Sequence, residues 1–95
     1  MDPRRFSDLI TFSRVAETRS FTAAAQSLGV TQSAVSQTVK RLEADLGIRL
    51  LSRSTRSLTP TAAGEQLLAT LAPNVAELDA KLADLERLRE EQQRA

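Results

Sequence analysis

The last third of the chain is the feature that most constrains its fold. From Thr61 to the final residue the sequence is dominated by Ala, Leu, Glu and Arg, the strongest helix formers, so a single long helix over residues 61–95 is expected. At about 1.5 Å per residue such a helix would reach roughly 50 Å, too far for one small domain to cover. Its apolar positions Leu68, Leu71, Val75, Leu78, Leu82 and Leu85 recur at alternating steps of three and four, the spacing of a heptad seam. A lone helix cannot bury that seam. The first turns can pack on the chain's own core through Leu67, Leu68 and Leu71; a second helix is expected to cover the rest. Pro73 falls inside this stretch and removes the helical donor to the Ala69 carbonyl, so a bend near residues 69–73 is expected.

The preceding sixty residues are punctuated by caps. Asp2 and Pro3 are start signals for a helix over residues 3–18, in which Phe6, Leu9, Phe12, Ser13 and Ala16 share one face with Ile10 at its edge. Ser20 is a cap for a second, two-turn helix carrying Phe21, Ala24, Ala25 and Leu28, and Gly29 suits its C-terminal cap. After Val30, Thr31 caps a third helix in which Val35, Val39, Leu42 and Leu46 recur before Gly47 ends it. Two helices joined by Gly29-Val30-Thr31 have helix-turn-helix spacing, and the small residues Ala23, Ala24 and Ala25 permit their close crossing.

The face of the third helix opposite its apolar stripe carries Gln32, Ser33, Ser36, Gln37 and Lys40. Amides, hydroxyls and an ammonium with no bulky apolar group are the chemistry that reads base edges and phosphates in a major groove. A merely solvated helix face has the same look. Beyond Gly47, Ile48, Leu50 and Leu51 alternate loosely, the polar tip Arg53-Ser54-Thr55-Arg56-Ser57 follows, and Leu58-Thr59 returns. A short hairpin is expected, with Arg53 and Arg56 able to meet phosphates or enter a minor groove and Ser54, Thr55 and Ser57 adding hydroxyls. An ordinary exposed turn competes with that reading, as does an ion pair between Arg53 and Glu43.

Charge is divided along the chain. The formal net charge is +1, yet the first sixty residues hold nine basic and five acidic side chains and the remainder four basic and seven acidic. A basic front and an acidic tail suggest a polyanion-binding part joined to a part kept off the polyanion. The chain has no His, Cys, Trp or Tyr, which removes the usual metal ligands, thiol nucleophiles and imidazole bases and argues against zinc, thiol redox chemistry and cofactors. No spacing pairs a nucleophile with a base, so an enzyme is not expected. No apolar run approaches the roughly 20 residues of a membrane span, and the start lacks a signal core; a cytoplasmic, nucleoid-associated protein is the expectation.

Taken together, Ser20-Phe21-Thr22-Ala23-Ala24-Ala25, Leu28-Gly29-Val30-Thr31-Gln32-Ser33-Ala34-Val35-Ser36, Leu42-Glu43-Ala44-Asp45-Leu46-Gly47, Leu50-Leu51-Ser52-Arg53 and Thr61-Ala62-Ala63-Gly64 resemble the amino-terminal DNA-binding domain of bacterial LysR-type transcriptional regulators. The match runs over about residues 4–90. It implies a mainly α fold: a winged helix-turn-helix over residues 1–60 (helix-turn-helix about 21–40, two-stranded wing about 48–60), then a linker helix over 61–95 that pairs with a second subunit. It implies base readout by Gln32, Ser33, Ser36 and Gln37, and phosphate contacts from the helix amino termini at Ser20 and Thr31 and from Lys40, Arg53, Thr55 and Arg56. The implied partners are double-stranded operator DNA, roughly palindromic, and a second copy docked along Leu68, Leu71, Val75, Leu78, Leu82 and Leu85.

Three positions depart from the family pattern. Ser33 stands where Pro is frequent, Gln37 where Arg is frequent and Leu51 where Phe is common. Gln37 bears on base preference, because an amide suits adenine where a guanidinium suits guanine; Leu51 is a packing exchange. Family members continue into a domain that senses a small-molecule effector, and none of it is present, so the chain is expected to be a truncated or natural fragment. The competing reading is a coiled-coil interaction module whose basic head docks an acidic partner, which leaves the polar helix face without a role.

Overall fold

Four helices and one hairpin follow one another in the order the caps dictate. In a computed structural model that describes residues 1–54 and 56–94, α1 spans Pro3–Thr18, α2 Phe21–Leu28, α3 Gln32–Leu46, β1 Leu51–Arg53, β2 Leu58–Pro60 and α4 Ala62–Arg94. The starts of α1, α2 and α3 are closed by the side chains expected of them: Asp2 accepts from the Arg4 N–H at 2.9 Å, Ser20 from Ala23 at 3.0 Å and Thr31 from Ala34 at 3.1 Å. These bonds satisfy donors that helix geometry leaves unpaired. Gly29 and Gly47 end α2 and α3 with φ of 70° and 71°, a conformation open to glycine at little cost.

The three-helix core is built from Leu9, Phe12 and Val15 of α1, Ala24 and Ala25 of α2, and Val35, Val39 and Leu42 of α3, closed by Leu50, Leu51 and Leu71. Two of the larger side chains assigned to apolar stripes lie outside it. Phe6 is 47% exposed and Leu46 40% exposed; Phe6 lies in an open groove beside Leu67, Leu71 and Leu78 of α4. Val15, absent from the expected α1 stripe, is fully buried. Asp8 is buried as well and receives two hydrogen bonds from Arg41, from Nε at 3.0 Å and Nη2 at 2.6 Å. Those bonds, ahead of the Coulombic attraction of Asp8 and Asp45, hold the guanidinium above its ordinary pKa.

The hairpin is antiparallel, pairing Leu51 with Pro60, Ser52 with Thr59 and Arg53 with Leu58. Thr61 ties it to α4: its N–H donates to Leu50 O at 2.9 Å, its hydroxyl donates to Arg49 O at 2.6 Å, and its Oγ1 accepts from Gly64 at 3.1 Å. Gly64 is required there, since a Cβ would collide with the Leu50 carbonyl oxygen.

Helix α4 runs 33 residues through Pro73 without interruption, and the chain measures 53 × 25 × 21 Å. The expected seam divides into two halves. Leu71 is buried in the chain's own core, and Leu68 and Val75 pack against it; these three are therefore largely covered within one chain, since α1 lies alongside this stretch. Leu78, Leu82 and Leu85 are 52%, 57% and 53% exposed, and Leu88 joins them at 49%.

Candidate nucleic-acid interface

Helix α3 presents its polar start to solvent because Val35, Val39 and Leu42 turn the opposite face into the core. Gln32, Ser33, Gln37 and Lys40 are exposed, and Ser36 is half-buried on the same side. The structure thus brings together the five residues singled out on this helix. Gln32 is oriented: its Oε1 accepts from the Thr22 hydroxyl of α2 at 3.2 Å, which leaves the side-chain NH2 group as the outward donor. The N–H groups of Gln32 and Ser33 precede the first bond of α3, made by Val35 to Thr31 O, and have no partner among the described residues. With the capped start of α2 nearby, this supplies two helix amino termini suited to anions. Ser20 and Thr31 hold those termini as caps.

The wing is braced by its own serines. The Ser54 N–H donates to Ser57 O at 2.9 Å, Ser54 Oγ accepts from Arg56 N at 3.3 Å and Ser57 N at 3.0 Å, and the two hydroxyl oxygens lie 3.0 Å apart. Ser54 and Ser57 therefore spend their hydroxyls on the turn that exposes Arg56. Thr55 lies outside the described residues.

Glu43 and Arg53 do not pair. The Glu43 carboxylate accepts from Leu50 N at 2.8 Å and Leu51 N at 3.2 Å, and the cation beside it is Arg49 at 3.4 Å. A largely buried carboxylate is better matched by two strand-edge N–H donors and a nearby guanidinium than by a side chain at the wing tip. Arg53 instead lies over the ring of Phe21, 4.5 Å from its centroid, a cation–π contact that orients the guanidinium plane. Sequence reasoning missed Phe21 and Thr22 as residues that aim Arg53 and Gln32. Both are adjacent to the Ser20 cap, but nothing in their spacing signals the partner.

The basic side chains divide by whether a carboxylate engages them. Arg4, Arg14, Arg41, Arg49 and Arg87 are engaged by carboxylates, whereas Lys40, Arg53 and Arg56 have no carboxylate partner among the described residues. No group of three or more acidic side chains able to hold a metal occurs among those residues, and no helix is long and apolar enough to cross a membrane.

Comparison with known proteins places this geometry among DNA-binding folds. The family described as "Bacterial regulatory helix-turn-helix protein, lysR family" matches residues 6–65. The HTH-type transcriptional regulator PgrR of Escherichia coli strain K12 is 51% identical over 85 residues, covering 90% of this chain and 28% of that protein. Among solved structures, the CbnR_DBD–DNA complex superposes with a TM-score of 0.68 at 38% identity, covering 90% of this chain and 97% of that one. The BenM_DBD/catB site 1 DNA complex gives 0.71 at 30% identity, covering 87% and 92%. The chain spans 27–29% of the length of the first relatives it matches. These relatives are transcriptional regulators, not enzymes.

Proposed function

The chain belongs to the LysR family of bacterial regulatory helix-turn-helix proteins, and on that premise we propose that it is the operator-reading part of a dimeric regulator. Residues 1–60 are the reading head and residues 61–95 the linker that pairs two heads. The start of α3 enters the major groove, where Gln32, Ser33, Ser36 and Gln37 meet base edges. Lys40, Arg53, Thr55, Arg56 and the amino termini capped by Ser20 and Thr31 meet phosphates.

The observation that carries this reading is the exposed polar start of α3, with Gln32 aimed by Thr22 and the cations Lys40, Arg53 and Arg56 free of carboxylate partners among the described residues. Leu78, Leu82 and Leu85 support pairing with a second copy, since a row of half-exposed leucines on one helix costs free energy in water. Two heads related by a twofold axis fit a roughly palindromic site with half-sites about 34 Å apart, or a multiple of it. Effector sensing belongs to a further domain of the whole protein, and the bacterial cytoplasm is its setting.

The test is a fluorescence-anisotropy titration against random duplex DNA at several salt concentrations, followed by sequencing of the tightest-bound fraction. Selected sites converging on an inverted repeat, with log affinity falling linearly against log salt, are the expected result. No binding at low salt would overturn the reading in favour of a coiled-coil interaction module.

A further inference from the structure

Arg19 occupies a backbone conformation that its side chain disfavours. It is the C-terminal cap of α1, with φ 54° and ψ 33°, and the only non-glycine with positive φ among the described residues. The left-handed region crowds the Cβ of any L-residue and is the usual place for Gly or Asn. Glycine would serve the cap better, so local backbone geometry gives no reason for arginine here. What the site adds is an exposed guanidinium one residue before the Ser20 cap of α2.

That guanidinium has neighbours of its own kind. Arg19, Arg53 and Arg56 line one open concavity of about 310 Å³ between the end of α1, the start of α3 and the wing, together with Phe21, Gln32 and Ser57. No carboxylate lines it, and none of the three arginines is ion-paired among the described residues. Three cations converging without an anion repel one another, and the arrangement is relieved when a negative group enters. Arg53 is held over Phe21 with no carboxylate partner among the described residues, and guanidinium geometry suits phosphate oxygens.

We propose that Arg19, Arg53 and Arg56 form one seat for a DNA backbone phosphodiester, with Arg19 the third contact that fixes the wing against the strand beside the Gln32 end of α3. The proposal rests on the DNA-binding reading above and adds Arg19 to it. The seat lies next to the amide of Gln32, so occupying it sets where that amide meets the bases.

Arg19→Gly separates folding from binding, because glycine is at home in this conformation. The 95-residue chain, Arg19→Gly, Arg19→Lys and Arg56→Ala are titrated against a selected duplex and a random duplex from low to moderate salt, and Tm is measured for each. For Arg19→Gly the expected results are an unchanged or raised Tm, an affinity about three- to tenfold lower on both duplexes, and a slope of log affinity against log salt shallower by about 0.9. Arg19→Lys keeps the slope. If Arg56→Ala flattens the slope and Arg19→Gly does not, Arg19 is outside the seat and the proposal falls while DNA binding stands. A lowered Tm for Arg19→Gly overturns it too, by assigning Arg19 a structural role. Failure of the unaltered chain to bind either duplex overturns both this proposal and the reading beneath it.

Discussion

The carboxylate of Asp8, buried on α1, receives both hydrogen bonds of a fork from Arg41 on α3, and the two residues lie 33 positions apart in the sequence. The pair is asymmetric: the Asp8 side chain is 3% exposed and that of Arg41 42%. Removing either partner therefore has different consequences. Asp8→Ala releases an arginine that can turn to water. Arg41→Ala strands a buried carboxylate and is expected to lower Tm further than Asp8→Ala does. Thermal unfolding of the two variants side by side tests this order; a larger loss for Asp8→Ala would contradict it.

Base readout and phosphate contact separate under mutation. Gln32→Ala is expected to cost about 1 to 3 kcal/mol on a selected operator and to relax preference at one base pair, while Arg56→Ala weakens all sequences alike and flattens the salt dependence. Thr22→Val removes the hydroxyl that holds the Gln32 amide and is expected to reproduce the loss of preference in weaker form. Competition titrations with selected and random duplexes distinguish these cases, and equal losses on both duplexes for Gln32→Ala would remove it from the reading face.

Gly64 is a steric requirement. A Cβ at this position meets the Leu50 carbonyl oxygen, which belongs to backbone and cannot swing aside. Gly64→Ala is expected to destabilise the chain by about 1 to 3 kcal/mol, against a near-neutral Ala62→Ser as reference, since Ala62 is exposed at the helix start. Denaturant unfolding measures the difference.

The exposed half of the α4 seam is expected to hold the dimer without holding the head. Leu82→Asp with Leu85→Asp leaves the core untouched, because both leucines are more than half exposed, yet places charges where a second copy would dock. Sedimentation equilibrium should move from dimer to monomer while the core of the head stays folded. A doubly substituted chain that remains dimeric would locate the interface elsewhere.

Much of this was legible in residues taken one at a time. Asp2, Ser20 and Thr31 mark three helix starts because a cap is a local hydrogen bond, made within a few residues of chain. The polar start of α3 was legible for a related reason: helical periodicity alone separates Gln32 and Ser33 from Val35 and Val39. What escaped depends on crossings between distant segments. Whether Glu43 meets Arg49 or Arg53 is decided by the path of the chain after Gly47, and the exposure of Phe6 and Leu46 cannot be read from a period shared with buried residues. The seam shows the same limit. Its period is local, but the division at Val75 between covered and exposed leucines follows from the contact of α4 with α1.

That division has a consequence for distance. Thr61 and Leu71 fasten α4 to the three-helix core at its root, so the exposed leucines stand at fixed heights above the surface that carries the start of α3, like graduations on a rod. In the dimer proposed above, sliding a partner by one heptad along them displaces its head by about 10.5 Å, close to three base-pair rises. On the pairing proposed above, the register of Leu78, Leu82 and Leu85 becomes a gauge of operator length, cut into the protein far from the α3 residues proposed to read bases.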